Sequence, residues 1–588
     1  MKRKLSILFM AVLTVGALSA QVEKEVEVTK TYAPRLQSVR KMLVEPNMVD
    51  TIALRPEIDY TITPQAFASA LTISQFRPAS VTYWEYSPKY PFYVKAAIGY
   101  PLQSEVDAYA STERADVGYF CAYVHHRGRF GKIKVTDPTV NQVYNNKADQ
   151  MTNRVGVTGG KYLGRYTFAG DIYYESDVYS RYPYNAVDEK DPTEINFENI
   201  NLKLNFGDTF SDMSRLNFSI YAGMDFYNDK SQQQYFADPL QPTYDNKFQQ
   251  LSANAGIRIA RRLGGRGSFE ASVGYEGYYG LKSLDAYSNT QLSAQLMLGY
   301  KSKKRLQFKI GARYVYDAQK SEALPTRHRV LPYLYVGLNI RDNGRFVPYM
   351  EMVSELENNS YQLLQQRNPY VAVLGYPSMA TVDLQRPLEN SRKYSVRFGF
   401  TGHSKNSKFA YRLYANTSFA KDALYWFLVN RAFYGVTNGR LNEWSINAAF
   451  EYKPLASLYF EAKASGRVYT SFGDVEVARP AYDAELGIRY THRRFAISAT
   501  AHLIGESQWS SILEVPDGAD ATEIFKANAK NRVTIPTAVD VGLKLDVFIS
   551  KHWTMFVEGR NLANMNIYRW AYYRELGINC LVGFKVQF

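Results

Sequence analysis

From residue 92 to the carboxyl end, apolar and polar residues alternate with a period of two. The segments are about ten residues or longer and are separated by connections that are alternately short and long. In Val539–Ile549 every odd position is apolar, while the even ones are Asp540, Gly542, Lys544, Asp546 and Phe548. Leu306–Tyr314 repeats the design, and Trp444, Ile446, Ala448, Phe450 and Tyr452 oppose Glu443, Ser445, Asn447 and Glu451. At the end of the chain Ile578, Cys580, Val582, Phe584, Val586 and Phe588 share one face, opposite Asn579, Gly583, Lys585 and Gln587. Successive strand side chains point to opposite sides, so each segment presents one greasy and one wet face. Cut on this pattern, the chain yields strands from 92–99 and 104–112 through to 551–565 and 577–588, 22 in all. The count falls to 20 if the short first pair, interrupted by Pro101, is left out.

Composition decides which solvent the greasy faces meet. The chain has 588 residues, 46% hydrophobic and 21% charged, with 48 Tyr, 32 Phe and 6 Trp. After the first twenty residues no apolar run approaches the ~20 residues of a membrane helix. A membrane protein of this sequence must therefore cross with strands. Rings gather near segment ends, as at Tyr275, Tyr278 and Tyr279 or Tyr314 and Tyr316, which fits belts at a bilayer interface. In lipid every backbone amide needs a partner, so such a sheet must close on itself. The expectation is an all-β chain folded as a transmembrane antiparallel β-barrel.

The amino terminus points to the compartment. Lys2, Arg3 and Lys4 precede the apolar run Leu5–Ala17 and the small-residue end Leu18-Ser19-Ala20, the pattern of an export signal cleaved after residue 20. Residues 21–90 are broken by Pro34, Pro46, Pro56, Pro64, Pro78 and Pro88 and read as an extended periplasmic or luminal leader. Residues 91–588 form the barrel, placed in the cell outer membrane among its lipids. Short connections such as Leu163-Gly164-Arg165, Ser302–Arg305, Asp342–Arg345 and His492-Arg493-Arg494 become the periplasmic turns. The long polar stretches near 136–149, 179–193, 229–243, 357–390, 421–438, 506–532 and 566–576 become outside loops. This parity puts both the N- and C-termini on the periplasmic side.

Little in the chain suggests chemistry. Cys121 and Cys580 cannot form a disulfide framework, and Cys580 falls on an apolar face. His125 and His126 are strand neighbours that point opposite ways, and the remaining histidines are scattered, so no metal site is expected. Gly264-Gly265-Arg266-Gly267 lacks a following Lys-Ser/Thr and reads as a tight turn, not a phosphate loop. Ser507, Ser510 and Ser511 have no adjacent His, so neither catalysis nor a cofactor is expected. The formal charge of +14 does not signal nucleic acid. Arg261, Arg262, Lys303, Lys304, Arg305, Lys405, Lys408, Arg493, Arg494 and Lys551 cluster in the inner turns and form no binding stripe. Two outside loops are unusually apolar. One carries Tyr361, Leu363, Leu364, Tyr370 and Tyr376, the other Trp509 and Phe525. Apolar loops outside lipid fold inward, constrict the lumen, or meet a ligand or protein partner.

Several stretches resemble a known family. Asn561-Leu562-Ala563, Tyr568–Tyr573 and the terminal strand ending in Phe588 look like the end of TonB-dependent outer-membrane receptors. Tyr93–Ala96, Gly99–Leu102, Asp107–Thr112 and the leader piece Val28–Pro34 resemble Bacteroidota TonB-dependent receptor-like barrels. The resemblance implies solute or nutrient uptake across the outer membrane, recognition of Phe588 by the barrel-assembly machinery, and TonB or another envelope protein as partner. Residues 21–90 are too few for a full plug domain. That shortfall keeps open the alternative of a non-transporting barrel that serves as platform in an envelope protein complex.

Overall fold

The computed structural model describes residues 91–588 except 115–116, 137–142, 181–193, 211, 232–247, 303–304, 323, 341–343, 372–387, 430–432, 472–474, 515 and 517–520. Twenty-two antiparallel strands, each paired to its sequence neighbours, close into one barrel. The first strand, Phe92–Tyr100, pairs with the last, Asn579–Gln587, from Tyr93 opposite Gln587 to Tyr100 opposite Cys580. Backbone bonds from Phe92 N to Phe588 O (3.2 Å) and from Phe588 N to Phe92 O (3.0 Å) finish the seam. The short first pair, Phe92–Tyr100 and Gln103–Arg114, forms full staves of the wall, so the larger of the two strand counts holds.

The strands are inside out relative to a water-soluble sheet. Leu543, Leu545 and Val547 point outward and are exposed, while Lys544 and Asp546 between them are 9% and 7% exposed. Trp444 and Ile446 are 62% and 73% exposed, against 6% each for Ser445 and Asn447. Such a pattern would be costly in water, but facing acyl chains it is the low-energy one. Cys580 is exposed on the outward face, as its neighbours in sequence require.

The inner wall is polar and cross-linked by charge. Near the seam Lys95 Nζ lies 2.9 Å from Glu105 and 3.5 Å from Asp107. Arg127 and Arg560 also approach Glu105, at 3.2 and 3.6 Å. Lys544 meets Glu558 at 2.8 Å, and Lys585 pairs with Asp546. Phe556 lies buried among the ammonium groups of Lys95, Lys544 and Lys585, 4.9 to 5.4 Å from its ring centre. A wall of matched charges suits a watery lumen, where a bare charge would otherwise need solvent from the channel. His125 and His126 divide as strand geometry demands: His125 Nδ1 lies 2.8 Å from inward Asp107 Oδ1, and His126 is held by Ser104 and Asn153 on the other face.

The two rims differ. At one, the connections are tight, with Gly164 and Gly264 at φ +68° and +60° where a left-handed residue turns the chain. Arg261, Arg262, Arg305, Lys405, Lys408, Arg493, Arg494 and Lys551 are all exposed there; Lys303 and Lys304 lie outside the described residues. At the other rim the loops are long and carry structure of their own. On either side of residues 137–142, Lys132–Thr136 pairs with Val143–Lys147 as a ribbon, and the stave before it ends at Arg129.

The largest departure concerns 421–438, expected to be a loop. Strands Phe409–Val429 and Phe433–Leu455 run through it as one hairpin. The register slips between Ala420 and Ala423, where Asp422 takes φ +62°. Pairing then resumes from Ala423 opposite Gly439 to Val429 opposite Phe433, a projection of roughly 20 Å at ~3.3 Å per residue. The stretch Ala423-Leu424-Tyr425-Trp426-Phe427-Leu428 is apolar at every position, so alternation could not reveal it. Both of its faces are packed. Leu424 and Leu428 join one apolar cluster, and Tyr425 and Phe427 join another.

Candidate functional site

The long-loop rim is where the molecule departs from a plain pipe. In the 357–390 loop a seven-residue helix, Tyr361–Arg367, folds into the mouth of the barrel. The turn before it is built by Asn358, whose Oδ1 accepts from Ser360 N at 2.8 Å, a local Asn turn that starts the helix. The helix is pinned to the wall formed by Asn217–Asp229 and Phe248–Leu263. Tyr361 Oη donates to Asp229 Oδ2 at 2.6 Å, and Gln362 Nε2 donates to Asp225 Oδ1 at 3.0 Å. Gln362 N donates to Gln250 Oε1 (3.2 Å), and Gln362 Oε1 accepts from Ser252 Oγ (3.2 Å). Burial makes each such bond expensive to leave unmade.

The base of the loop is clamped as firmly. Asn359 Nδ2 donates to Glu389 O (2.6 Å) and Asn390 Nδ2 to Asp317 Oδ1 (2.7 Å). Asp317 also pairs with Arg329 at 3.0 Å, while Glu389 takes Arg327 at 2.7 Å. Asp422 stands beside this clamp at the foot of the projecting hairpin. Its backbone oxygen accepts from Ser391 Oγ and Asn438 Nδ2. Burial first, then the neighbouring Glu389 charge, pushes its carboxyl above the usual carboxylate range.

From the far side of the mouth other loops complete a cap. Tyr370 stacks on Tyr573 with ring centres 3.6 Å apart. Tyr434 meets Trp509 at 5.8 Å and Tyr573 at 5.7 Å, and Trp570 meets Trp509 at 5.9 Å and Trp426 at 6.2 Å. Tyr434 Oη donates to Ala571 O. The 506–532 stretch supplies a ribbon, Ser507–Ile512 with Arg532–Ile535, and a second short helix, Ala521–Ala527. That ribbon also pairs in parallel with the hairpin, Leu428 opposite Ser511.

Of the seven apolar loop residues expected to matter, Tyr361, Leu364, Tyr370 and Trp509 meet in this one cluster. Leu363, on the same helix, is half-buried. Phe525 belongs instead to the second cluster, edge-on to Phe427 at 5.2 Å, where it braces the hairpin. Tyr376 lies outside the described residues. Sequence reasoning missed Gln250, Asp225, Asp229 and Gln362, which hold the helix down, because polar residues on inward strand faces look alike before a loop selects some of them. Ser510 Oγ accepts from Glu476 N at 2.9 Å, and Ser511 is buried in the ribbon, where its backbone N donates to Asn531 O at 2.8 Å; both hold loops together. Among the described residues no group of three or more His, Cys, Asp or Glu is placed to hold a metal.

Neither a family model nor a curated protein matches the sequence. Solved structures do match its fold. The ferric enterobactin receptor PfeA, in complex with BCV-L6, superposes with a TM-score of 0.63 at 9% identity over 84% of this chain and 81% of its own. The siderophore receptor PirA from Acinetobacter baumannii gives 0.62 at 11% over 84% and 80%. The FrpB iron transporter from Neisseria meningitidis gives 0.61 at 10% over 85% and 82%. The chain thus has the barrel architecture of TonB-dependent siderophore receptors, and identities this low speak to architecture alone.

Proposed function

We propose that the protein is an outer-membrane uptake barrel, with its long loops facing outward, both termini in the periplasm, and a loop cap that governs which solute enters. The observation that carries this reading is the inward-folded 357–371 segment, hydrogen-bonded to the lumen wall in a barrel of siderophore-receptor architecture. A structural plug of side chains would not need so long a loop to fill the mouth. The names of the structural neighbours favour iron chelates as the first solutes to try. Residues 1–20 act as the export signal and 21–90 as a periplasmic or luminal leader, with TonB as the energising partner. The terminal Phe588, bonded across the seam, supplies the feature that barrel-assembly machinery reads. The protein works by binding and passage, not catalysis.

The test places cysteines at Gln362 and Ser252, whose side-chain ends meet at 3.2 Å, and bridges them with a short bis-maleimide that carries a cleavable disulfide in its spacer. In cells that depend on this barrel, with ferric enterobactin as the sole iron source, cross-linking should stop iron uptake and reduction of the spacer should restore it. Unchanged iron uptake on deletion of the barrel sinks the chelate reading.

A second reading rests on the projecting hairpin, which the 506–532 loop braces from the side. It suits a platform for an envelope partner. Stoichiometric co-purification in mild detergent that is lost when 421–438 is shortened, with no solute phenotype, would favour it over uptake.

A further inference from the structure

Beside the stacked Tyr370 and Tyr573 the cap encloses a cavity of about 40 Å³ lined by Arg129, Arg569 and Arg574 together with Asp149 and Glu575. At ~10–15 Å³ per water this holds roughly three or four waters, or one small oxyanion. A whole chelate does not fit.

The lining carries three guanidiniums and two carboxylates. Glu575 Oε2 is taken by Arg129 Nη1 at 2.6 Å. Asp149 is taken by Lys147 at 2.8 Å and also accepts from Gly131 N at 3.1 Å. Glu575 is thus engaged within the lining, by Arg129, and Asp149 from outside it, by Lys147 and Gly131, so neither is left for Arg569. The guanidiniums of Arg560 and Arg569 bear on Arg129 as like charges. Arg569 Nε is shielded from solvent and has no acceptor among the described residues, and the adjacent Trp570 Nε1 is in the same condition. A shielded guanidinium N–H without an acceptor is costly, and a planar fork of such donors matches the oxygens of a carboxylate or phosphate.

We infer that this cavity is a binding site for a small oxyanion, a phosphate or a carboxylate group, held by Arg569 with Arg129 and Arg574 and floored by the Tyr370–Tyr573 stack. The anion is either a free ion or the end group of a larger molecule threaded into the cap. Its presence would relieve the crowding of like charge and tie the 566–576 loop to Arg129 at the end of its stave.

The experiment titrates full-length protein in detergent micelles with inorganic phosphate, and separately with acetate, at constant ionic strength set by chloride. Tryptophan fluorescence is the readout, since Trp570 adjoins Arg569. The expected result is saturable quenching by at least one anion, weakened roughly tenfold or more in Arg569→Gln and largely kept in Arg569→Lys. Phosphate saturating without acetate identifies a tetrahedral ion, and the reverse a carboxylate end group. Saturation by neither anion, or equal affinity in Arg569→Gln, overturns the assignment. Should Arg569→Gln fail to give a heat-modifiable folded barrel, Glu575→Gln decides: it frees Arg129 and should tighten binding severalfold, and unchanged or weaker binding refutes the site. The two readings fail separately. Loss of the uptake hypothesis leaves anion binding standing, and absence of anion binding leaves uptake untouched.

Discussion

The staves of the barrel and the cap over its mouth obey opposite rules. In the wall, Leu543, Leu545, Ile446 and Trp444 are exposed while Lys544, Asp546, Ser445 and Asn447 are enclosed. In the cap, Tyr361, Leu364, Leu428, Tyr434 and Trp509 are all 2% exposed or less, as in any water-soluble core. One chain is thus folded against two solvents, and its greasy residues go outward or inward according to which solvent they meet. A mutation should therefore do damage of a kind set by its region, not by its residue type.

The deepest cut into this contrast is in the cap. Phe427→Ala should lower the local stability of the hairpin by about 3–5 kcal/mol, the range for a buried aromatic, because Phe427 is 1% exposed and braced by Phe525. Hydrogen exchange should show faster opening of 421–438, with the heat-modifiability of the barrel unchanged. Global unfolding instead would erase the distinction between the regions. Next comes the wall. Ile446→Arg, mid-strand on the outward face, should destabilise the barrel in lipid vesicles by about 2–4 kcal/mol, whereas Asn447→Arg on the lumen side should be far milder. Equal losses in denaturant titrations would mean that the outward face does not meet lipid.

Smaller in effect is the latch between the regions. Tyr361→Phe leaves buried Asp229 without its phenol donor and should loosen the helix by about 1–3 kcal/mol, read as faster proteolysis within 357–371. The smallest effect concerns pH. The carboxyl of Asp422 titrates higher in the folded cap than in an unfolded chain, so its contribution favours the cap below the ordinary Asp range. It is lost as pH rises through the raised value. Asp422→Asn should remove that slope from cap proteolysis measured against pH, and an unaltered slope would assign it to another group.

The same contrast explains what the sequence could disclose. Each wall strand touches lipid on one side and water on the other, so its period of two is imposed residue by residue, and Val539–Ile549 announces itself. Parity of short and long connections then carries orientation along the chain. The cap has no such imposed period. Ala423–Leu428 is buried on both faces and reads as an undifferentiated apolar run, while Tyr361–Arg367 is too short to show helical spacing. Apolar loop residues were visible as a group, yet their partners were not. Asp225 and Asp229 differ in no local way from other lumen-facing acids, and only the arrival of Gln362 and Tyr361 from more than a hundred residues away singles them out. Arg569 was equally silent, since its meaning lies in what Arg129 and Glu575 already do with each other.

The bonding of Phe92 to Phe588 has a consequence for how the molecule is made. A ring joined by its first and last staves has no complete wall until the final strand has been synthesised and delivered, so the chain cannot mature piece by piece as it emerges. Until then two ribbon edges stand bare, inviting aggregation. The loop-closure penalty for joining the distant ends grows only slowly with length, but it falls due at the last step. Birth of the pore is thus a single late event, and a cut near either end is expected to be as damaging as a cut in the middle.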